Sequence, residues 1–265
     1  MAAFLPVRAA RWHMDEAAIW TRDLRKTYGD TTAVAGLDLA IDPGTIYGFL
    51  GPNGAGKTTT MRMLTTLSTP TSGDARIGGH DVADRAAVRP HVGYLPEEPP
   101  VYEELTAREQ LEYVAGLRDL GDERADDRIA LLLDRFDLAA DADDRIGSYS
   151  KGMRQKVAIS QALLHEPAVL LLDEPTGGLD PRAARTVRET IDDLADDDVT
   201  VFLSTHILPV VDELADTVGV LNDGELVAEG PPEELKRRAE AGERATLEEV
   251  FLSVTREPRA AGESR

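Results

Sequence analysis

The segment from residue 51 to residue 58, GPNGAGKT, constrains the fold of this chain more than any other. It satisfies the pattern Gly-x-x-x-x-Gly-Lys-Thr in full, follows the short apolar run TIYGFL, and opens a segment with helical spacing, KTTTMRMLTTL. Glycines let several backbone N–H groups point at one anion, and the start of a helix adds the positive end of its dipole. The sequence therefore predicts a strand, a phosphate-binding loop and a helix, in that order.

The residues of this loop have distinct expected tasks. The backbone surrounds phosphate oxygens, while Lys57 reaches the β- and γ-phosphates of a nucleotide and the Thr58 hydroxyl is placed to bind Mg²⁺. The predicted nucleotide-binding residues are Gly51, Pro52, Asn53, Gly54, Ala55, Gly56, Lys57, Thr58 and Thr59.

A second segment, VLLLDEP, supplies acidic residues of the kind that such a loop needs. Its apolar run is typical of a strand buried on both faces of a parallel sheet. Asp173 at the end of the run can hold Mg²⁺, directly or through water, and Glu174 can act as a base or orient an attacking water. An acidic turn after a strand is also a common structural feature. Beside a phosphate loop, however, it predicts a P-loop NTPase, a class that includes GTPases, kinases, helicases and transport motors.

The segment YSKGMRQK, residues 149–156, separates these classes. With the two segments above, it resembles the ATP-binding subunits of ABC transporters, whose second nucleotide motif reads Leu-Ser-Gly-Gly-Gln at the start of a helix. The resemblance implies that Ser150, Lys151, Gly152 and Met153 bind the γ-phosphate of ATP held by the other subunit of a head-to-tail homodimer. Lys151 and Met153 depart from the first glycine and the glutamine of that motif. The cations in and after the motif are expected to help receive polyphosphate.

Other positions match the same family one by one. Tyr28, in KTYGD, resembles the aromatic residue that stacks on adenine, although a tyrosine at a strand end is often part of a core. Asp180, in GGLD, resembles the subunit-contact loop, and His206, in FLSTH, resembles the histidine that senses the γ-phosphate. The resemblance implies a catalytic role for Lys57, Glu174 and His206.

Glu97 departs from the family pattern, because the family usually has glutamine after Tyr-x-Pro. A carboxylate there can still bind Mg²⁺ or hold water, but it adds negative charge beside the phosphates. Glu97 is therefore a third expected metal ligand, after Thr58 and Asp173.

Strands and helices alternate before residue 100 and after residue 165, and the segment between them is nearly all helical. We expect an α/β fold: a P-loop NTPase (RecA-like) core with an antiparallel β subdomain and a helical insertion at about 98–160. Residues 17–230 are expected to form the ATP-binding domain and residues 231–265 a helical tail. Residues 1–16 are expected to be a disordered extension, with Met14 as an alternative start.

Composition bears on the setting and the partners. The chain has 49 acidic and 29 basic residues, a formal net charge of -20 and no cysteine. Such a surface repels phosphates, so no nucleic acid partner is expected, and disulfides and thiolate metal sites are excluded. Acidic, lysine-poor chains resemble proteins of salt-loving organisms with molar salt in the cytoplasm, although an ordinary acidic protein has similar features. No apolar run reaches the roughly 18 to 20 residues that span a bilayer, so no direct membrane insertion is expected.

The segments YSKGMRQK, GYLPEEP and LEEVFLSVT together resemble one branch of the family. Its members pair with separate ABC-2 type permeases, mostly exporters of drugs, ions, lipids or glycans. The resemblance implies an ATPase at the cytoplasmic face of the membrane that uses ATP and Mg²⁺. The permease is expected to contact residues 97–113 and the helical insertion, although VYEELTAREQLEY also resembles an ordinary solvated helix. A soluble, non-transport ABC-type ATPase and an ATP-sensing regulator remain as alternatives.

Overall fold

The structure, a computed structural model, describes residues 17–238 and 246–255. The strands in this part of the chain are β1 (Ile19–Tyr28), β2 (Thr31–Ile41), β3 (Ile46–Leu50), β4 (Ser72–Ile77), β5 (His80–Asp81), β6 (Val92–Leu95), β7 (Val169–Asp173), β8 (Thr200–Thr205), β9 (Thr217–Asn222) and β10 (Glu225–Gly230). They form an antiparallel sheet in the order β2–β1–β4–β5 and a second sheet in the order β10–β9–β3–β8–β7–β6. In the second sheet β9, β3, β8, β7 and β6 are parallel, and β10 pairs antiparallel with β9.

The helices connect these strands and cover the second sheet. They are α1 (Lys57–Leu64), α2 (Arg85–Val88), α3 (Ala107–Leu117), α4 (Asp122–Arg135), α5 (Lys151–Leu163), α6 (Pro181–Asp196), α7 (Leu208–Leu214), α8 (Pro232–Arg238) and α9 (Leu247–Val254). The segment between β6 and β7 contains α3, α4 and α5, as the sequence predicts. Among the helices at residues 17–238 and 246–255, none is long and apolar enough to cross a bilayer.

The three central strands of the parallel sheet, β3, β7 and β8, are buried at every position. Both of their faces are covered, which is why their sequences are continuous apolar runs rather than alternating ones. The ring of Phe202 lies 5.0 Å from Phe49 and 5.5 Å from Tyr47, centroid to centroid. This aromatic contact joins β8 to β3 below the edge where the site residues lie.

Three hydrophobic clusters hold the layers together. One lies between the parallel sheet and the helices of the segment between β6 and β7. The second lies between the two sheets and includes Met61 and Leu64 of α1. The third joins the α8 and α9 helices to β9 and β10 through Leu235, Leu247 and Val250. The predicted α/β fold is therefore confirmed. The expected extension over residues 1–16, and residues 239–245 and 256–265 of the expected tail, lie outside the described residues.

Candidate nucleotide site

The order of the central strands places the predicted site residues along one edge of the sheet. The β8 strand lies between β3 and β7, with Leu50 opposite Thr205 and Asp173 opposite Ser204. All three strands are parallel, so their carboxyl ends coincide. The loop after β3, the acidic pair at the end of β7 and His206 after β8 therefore meet at this edge.

The loop after β3 has the backbone that its glycines predict. Gly54 and Gly56 have φ of 83° and 108°, values that side chains with a Cβ rarely adopt. A Cβ on Gly56 would lie 2.3 Å from the carbonyl oxygen of Ala33, so a larger residue does not fit there. Gly56 also precedes α1 without a side-chain cap, which leaves N–H groups of the first helical turn to bind an anion.

The remaining residues of the loop 51–58 complete a phosphate-binding cradle. Gly51 is held close to the carbonyl of Leu221, where a Cβ would lie 2.6 Å from the oxygen. The Ala55 N–H donates to the carbonyl of Pro52 at 3.2 Å, which folds the loop back on itself. Asn53 is exposed at its tip, and Thr59 is half-buried in the first turn of α1.

The side chain of Lys57 lies inside this cradle and is 7% exposed. It donates to the Gly51 carbonyl at 2.7 Å and to the Pro52 carbonyl at 3.3 Å. Burial lowers the pKa of Lys57 below its ordinary value. The negative charges of Glu174, Asp173 and Glu97 act against that pKa shift and partly offset it. The amine is thus held in place beside the site where phosphates would bind.

Thr58 and Asp173 form the oxygen pair that the sequence predicts for a metal ion. The Thr58 hydroxyl donates to Asp173 Oδ2 at 2.8 Å, and Asp173 is only 1% exposed. Hydroxyl and carboxylate oxygens are the donors that Mg²⁺ prefers, so the residues present fit this ion. Glu97 lies on the exposed segment after β6 and is close enough to affect the pKa of Lys57.

The carboxylate of Glu174 is held from two sides. Thr205 Oγ1 donates to Oε2 at 2.9 Å, and His206 Nδ1 lies 2.8 Å from Oε1. An ionised carboxylate only accepts hydrogen bonds, so Nδ1 carries the proton and Nε2 remains for another partner. His206 is 54% exposed on its side chain, which leaves that second nitrogen accessible.

Thr205 is a site residue that the sequence analysis missed. It is fully buried, donates to Glu174 and accepts from the Ile207 N–H at 3.1 Å. The available signal was a threonine at the end of a buried strand, since buried hydroxyls nearly always have a partner. Its place next to His206 makes Glu174 the natural partner.

We expect Thr205→Val to lower the turnover number for ATP about tenfold and to leave KM nearly unchanged, because the carboxylate loses one of its two described hydrogen bonds. Steady-state ATPase assays over a range of ATP concentrations would measure both constants. Thr190→Val is the matched control: Thr190 is also buried, but its hydroxyl bonds to the Thr186 carbonyl within α6. Equal turnover in the two variants would contradict a positioning role for Thr205.

The YSKGMRQK segment forms the start of α5, as predicted. Ser150 is the N-cap of this helix, and its hydroxyl accepts from the Met153 N–H at 3.2 Å. Two of the cations pair with carboxylates of the same chain: Arg154 with Glu103 at 2.9 Å, and Lys156 with Asp137 at 3.8 Å. Their charges are therefore engaged within the chain, which the sequence did not indicate.

Tyr28 and Asp180 make their described contacts with residues outside the loop 51–58. Tyr28 is 49% exposed and has the Lys26 amine 5.0 Å from its ring centre, so it is not the core tyrosine that the alternative supposed. Asp180 is the N-cap of α6 and accepts from the N–H groups of Arg182 and Ala183. Among the described contacts of both residues, none reaches Lys57 or Asp173.

A phosphate loop, a buried lysine and an acidic pair on the carboxyl edge of a parallel sheet define a nucleotide-hydrolysing enzyme of the P-loop class. The sequence profile described as ABC transporter matches residues 34–177. The chain belongs to the ABC transporter family, as an ATP-binding subunit, and is an ATPase.

Several relatives of known role are similar to this chain. The daunorubicin resistance ATP-binding protein DrrA3 of Streptomyces coeruleorubidus is 44% identical over 230 residues, which cover 86% of this chain and 72% of that protein. The bacitracin transport ATP-binding protein BcrA of Bacillus licheniformis is 41% identical over 222 residues, or 83% of this chain and 72% of that protein. A solved structure of the ATP-binding subunit of an ABC transporter aligns with a TM-score of 0.80 and 31% identity, covering 90% of this chain and 100% of that one.

Proposed function

We propose that this chain drives an ABC-2 type exporter by binding and hydrolysing ATP at the cytoplasmic face of the membrane, together with a separately encoded permease. The observation that carries the hydrolytic part is the convergence of Lys57, Glu174 and His206 at the carboxyl edge of three adjacent strands. The proposal of export is supported by the relatives, whose names include drug resistance, bacitracin transport and Nod factor export.

The proposed hydrolysis depends on fixed charges. Lys57 and the N–H groups of the loop bind the β- and γ-phosphates. A Mg²⁺ ion bound by Thr58 and Asp173, with Glu97 nearby, would neutralise charge on these phosphates. Glu174 accepts the proton of the water that attacks the γ-phosphorus, while the bond from that phosphorus to the bridging oxygen breaks. His206 holds the Glu174 carboxylate and offers Nε2 to the γ-phosphate.

The proposed active form is a head-to-tail homodimer with two bound ATP molecules. In this arrangement Ser150, Lys151, Gly152 and Met153 at the start of α5 bind the γ-phosphate of the partner subunit's ATP, with Lys151 contributing its backbone N–H. The helix start supports this, because the Ser150 hydroxyl accepts the Met153 N–H and leaves the N–H groups of Lys151 and Gly152 for an anion, which the helix dipole also favours. Asp180 lies at the start of α6 and would contact the partner there.

The proposed permease site is the surface that includes residues 97–113 and α3. Tyr102 and Tyr113 are 53% and 47% exposed and contact each other edge to face at 5.8 Å between ring centres. Exposed aromatic pairs are enriched in protein interfaces, which favours docking over a plain solvated helix. A short amphipathic helix of a permease is the partner that this surface would receive.

Purification of a tagged copy from native membranes, in high salt with ATP, tests the proposal. Mass spectrometry should find a multi-span protein in stoichiometric amount. Tyr113→Ser should release that protein and leave the ATPase activity of the isolated chain unchanged, because Tyr113 lies outside the nucleotide site.

Two other outcomes would replace this proposal. Robust ATPase activity with only soluble partners would indicate a non-transport ABC-type ATPase. Binding of ATP without turnover would indicate an ATP-sensing regulator.

We also propose that the chain works in molar salt, on the strength of its net charge of -20. Salt screens the mutual repulsion of the acidic surface, so the melting temperature should rise by about 10 °C between 0.1 M and 2 M KCl. Circular dichroism melts would measure it. The double variant Asp126→Asn and Asp127→Asn, on the exposed face of α4, should show a weaker dependence on salt. A melting temperature that stays the same between 0.1 M and 2 M KCl would contradict the proposal.

A further inference from the structure

Lys151 has a partner within its own chain that the family resemblance does not supply. Its amine donates to the carbonyl oxygen of Gly177 at 2.8 Å, across 26 residues of sequence. Gly177 belongs to the loop that runs from Glu174 to Asp180 and ends at the start of α6. Whereas Arg154 and Lys156 pair with carboxylates, Lys151 therefore binds the backbone of the loop that begins with Glu174.

The loop is shaped to receive this amine. Gly178 has a φ of 65°, and a Cβ at this position would lie 2.4 Å from the Lys151 Nζ atom. A residue with a side chain would be strained there by its positive φ, and the lysine amine would have to move aside to make room for it. The fit places a lysine, rather than the usual glycine of the motif, against a glycine pair in the facing loop.

The same loop is tied directly to Glu174. The Gly177 N–H donates to the Glu174 carbonyl at 2.9 Å, so the peptide groups on both sides of Gly177 are fixed. Glu174 itself has a φ of 50°, and its N–H donates to the Ser204 carbonyl at 2.9 Å. A residue other than glycine keeps a left-handed backbone conformation only where surrounding contacts hold it there. The contact of Lys151 with Gly177 is one of the contacts around Glu174.

A second close approach joins the starts of α5 and α6. A Cβ on Gly152 would lie 2.8 Å from the Cβ of Ala183, so the two helices pack together with little free space. Asp180 fixes the α6 start by accepting two N–H groups. The amine of Lys151 adds a polar contact beside this packed pair.

We propose that Lys151 is a positioning residue, which holds the loop 174–180, and through it Glu174, against the start of α5. In the proposed dimer the start of α5 binds the partner's nucleotide, so this contact would link one ATP site to the catalytic carboxylate of the other. The effect on turnover rests on the proposed function, whereas the contact itself does not.

Hydrogen exchange in the protein without added nucleotide tests the contact directly. Lys151→Met should speed amide exchange in peptides that cover residues 174–180 by about fivefold, the effect expected from losing one hydrogen bond. Lys156→Met is the matched control, because it removes the same charge from the same helix but contacts Asp137. Equal exchange in Lys151→Met and the parent would overturn the proposal.

Kinetics then test the positioning role. Lys151→Met should lower the turnover number about threefold to tenfold and leave KM for ATP nearly unchanged, and Lys151→Arg, which keeps a donor, should restore most of it. Faster exchange with unchanged turnover, or a change in KM alone, would overturn the role, since a lysine that only binds phosphate would alter KM. If the parent protein had no ATPase activity, the proposed function would be wrong. The hydrogen-exchange measurement would still test the contact between Lys151 and Gly177.

Discussion

Glu174→Gln should lower ATP turnover about 10³-fold and still allow ATP to bind, because the amide cannot accept the proton of the attacking water. The change is nearly isosteric, and the amide of glutamine can still form hydrogen bonds with Thr205 and His206. The variant should therefore accumulate as an ATP-bound dimer. Phosphate release assays and size-exclusion chromatography with and without ATP would measure these effects.

The control for this variant is Glu189→Gln, which removes an exposed carboxylate on α6 that pairs with Arg185. It should hydrolyse ATP at the parent rate. If Glu174→Gln also hydrolysed ATP at the parent rate, Glu174 would not be the base. A variant that lost turnover without forming a dimer would contradict the proposed dimer instead.

Lys57→Ala should weaken ATP binding by about a hundredfold or more. The amine is buried, is held by two loop carbonyls and lies 3.9 Å from Glu174 Oε1. Its removal leaves the phosphates facing Asp173 and Glu174 without the lysine's charge, and losing one partner of a buried charge pair is costly. Titration with a fluorescent ATP analogue would give the dissociation constant.

Lys57→Met keeps most of the side-chain volume and should lose binding to a similar extent, which separates the charge from the packing. The control is Lys236→Ala, which removes a lysine of α8 that pairs with Asp212 and Glu233. Its affinity for ATP should equal that of the parent. ATP binding by Lys57→Ala at the parent affinity would contradict the assigned role of this lysine.

The strands and the phosphate loop were predictable from the sequence because their signals are local. Continuous apolar runs marked β3, β7 and β8, and the glycine spacing marked the turn into α1. The position of β8 between β3 and β7 was not predictable, because strand order depends on packing between distant segments. That order explains why His206 lies beside Glu174, although 32 residues separate them.

The partners of the YSKGMRQK cations were not predictable for the same reason. A run of cations near glycine is compatible with phosphate binding or with ion pairs, and the choice depends on carboxylates elsewhere. Glu103 lies 51 positions before Arg154, and Gly177 lies 26 positions after Lys151. Their approach depends on how α5 packs against its neighbours, for which the sequence has no local signal.

The place of β3 in the sheet has a consequence for biosynthesis. Its two neighbours are β8 and β9. The buried strand at residues 46–50 therefore has no strand partner until the ribosome has synthesised β8 and β9, within residues 200–222. Ribosomes add about 5 to 20 residues per second, so the time between synthesis of β3 and synthesis of β8 is about 8 to 30 s. The turn residue Gly224, whose N–H donates to the Ala55 carbonyl at 3.0 Å, arrives even later. The phosphate loop is thus synthesised early and completed late, and the nascent chain carries an exposed apolar strand that chaperones would have to shield.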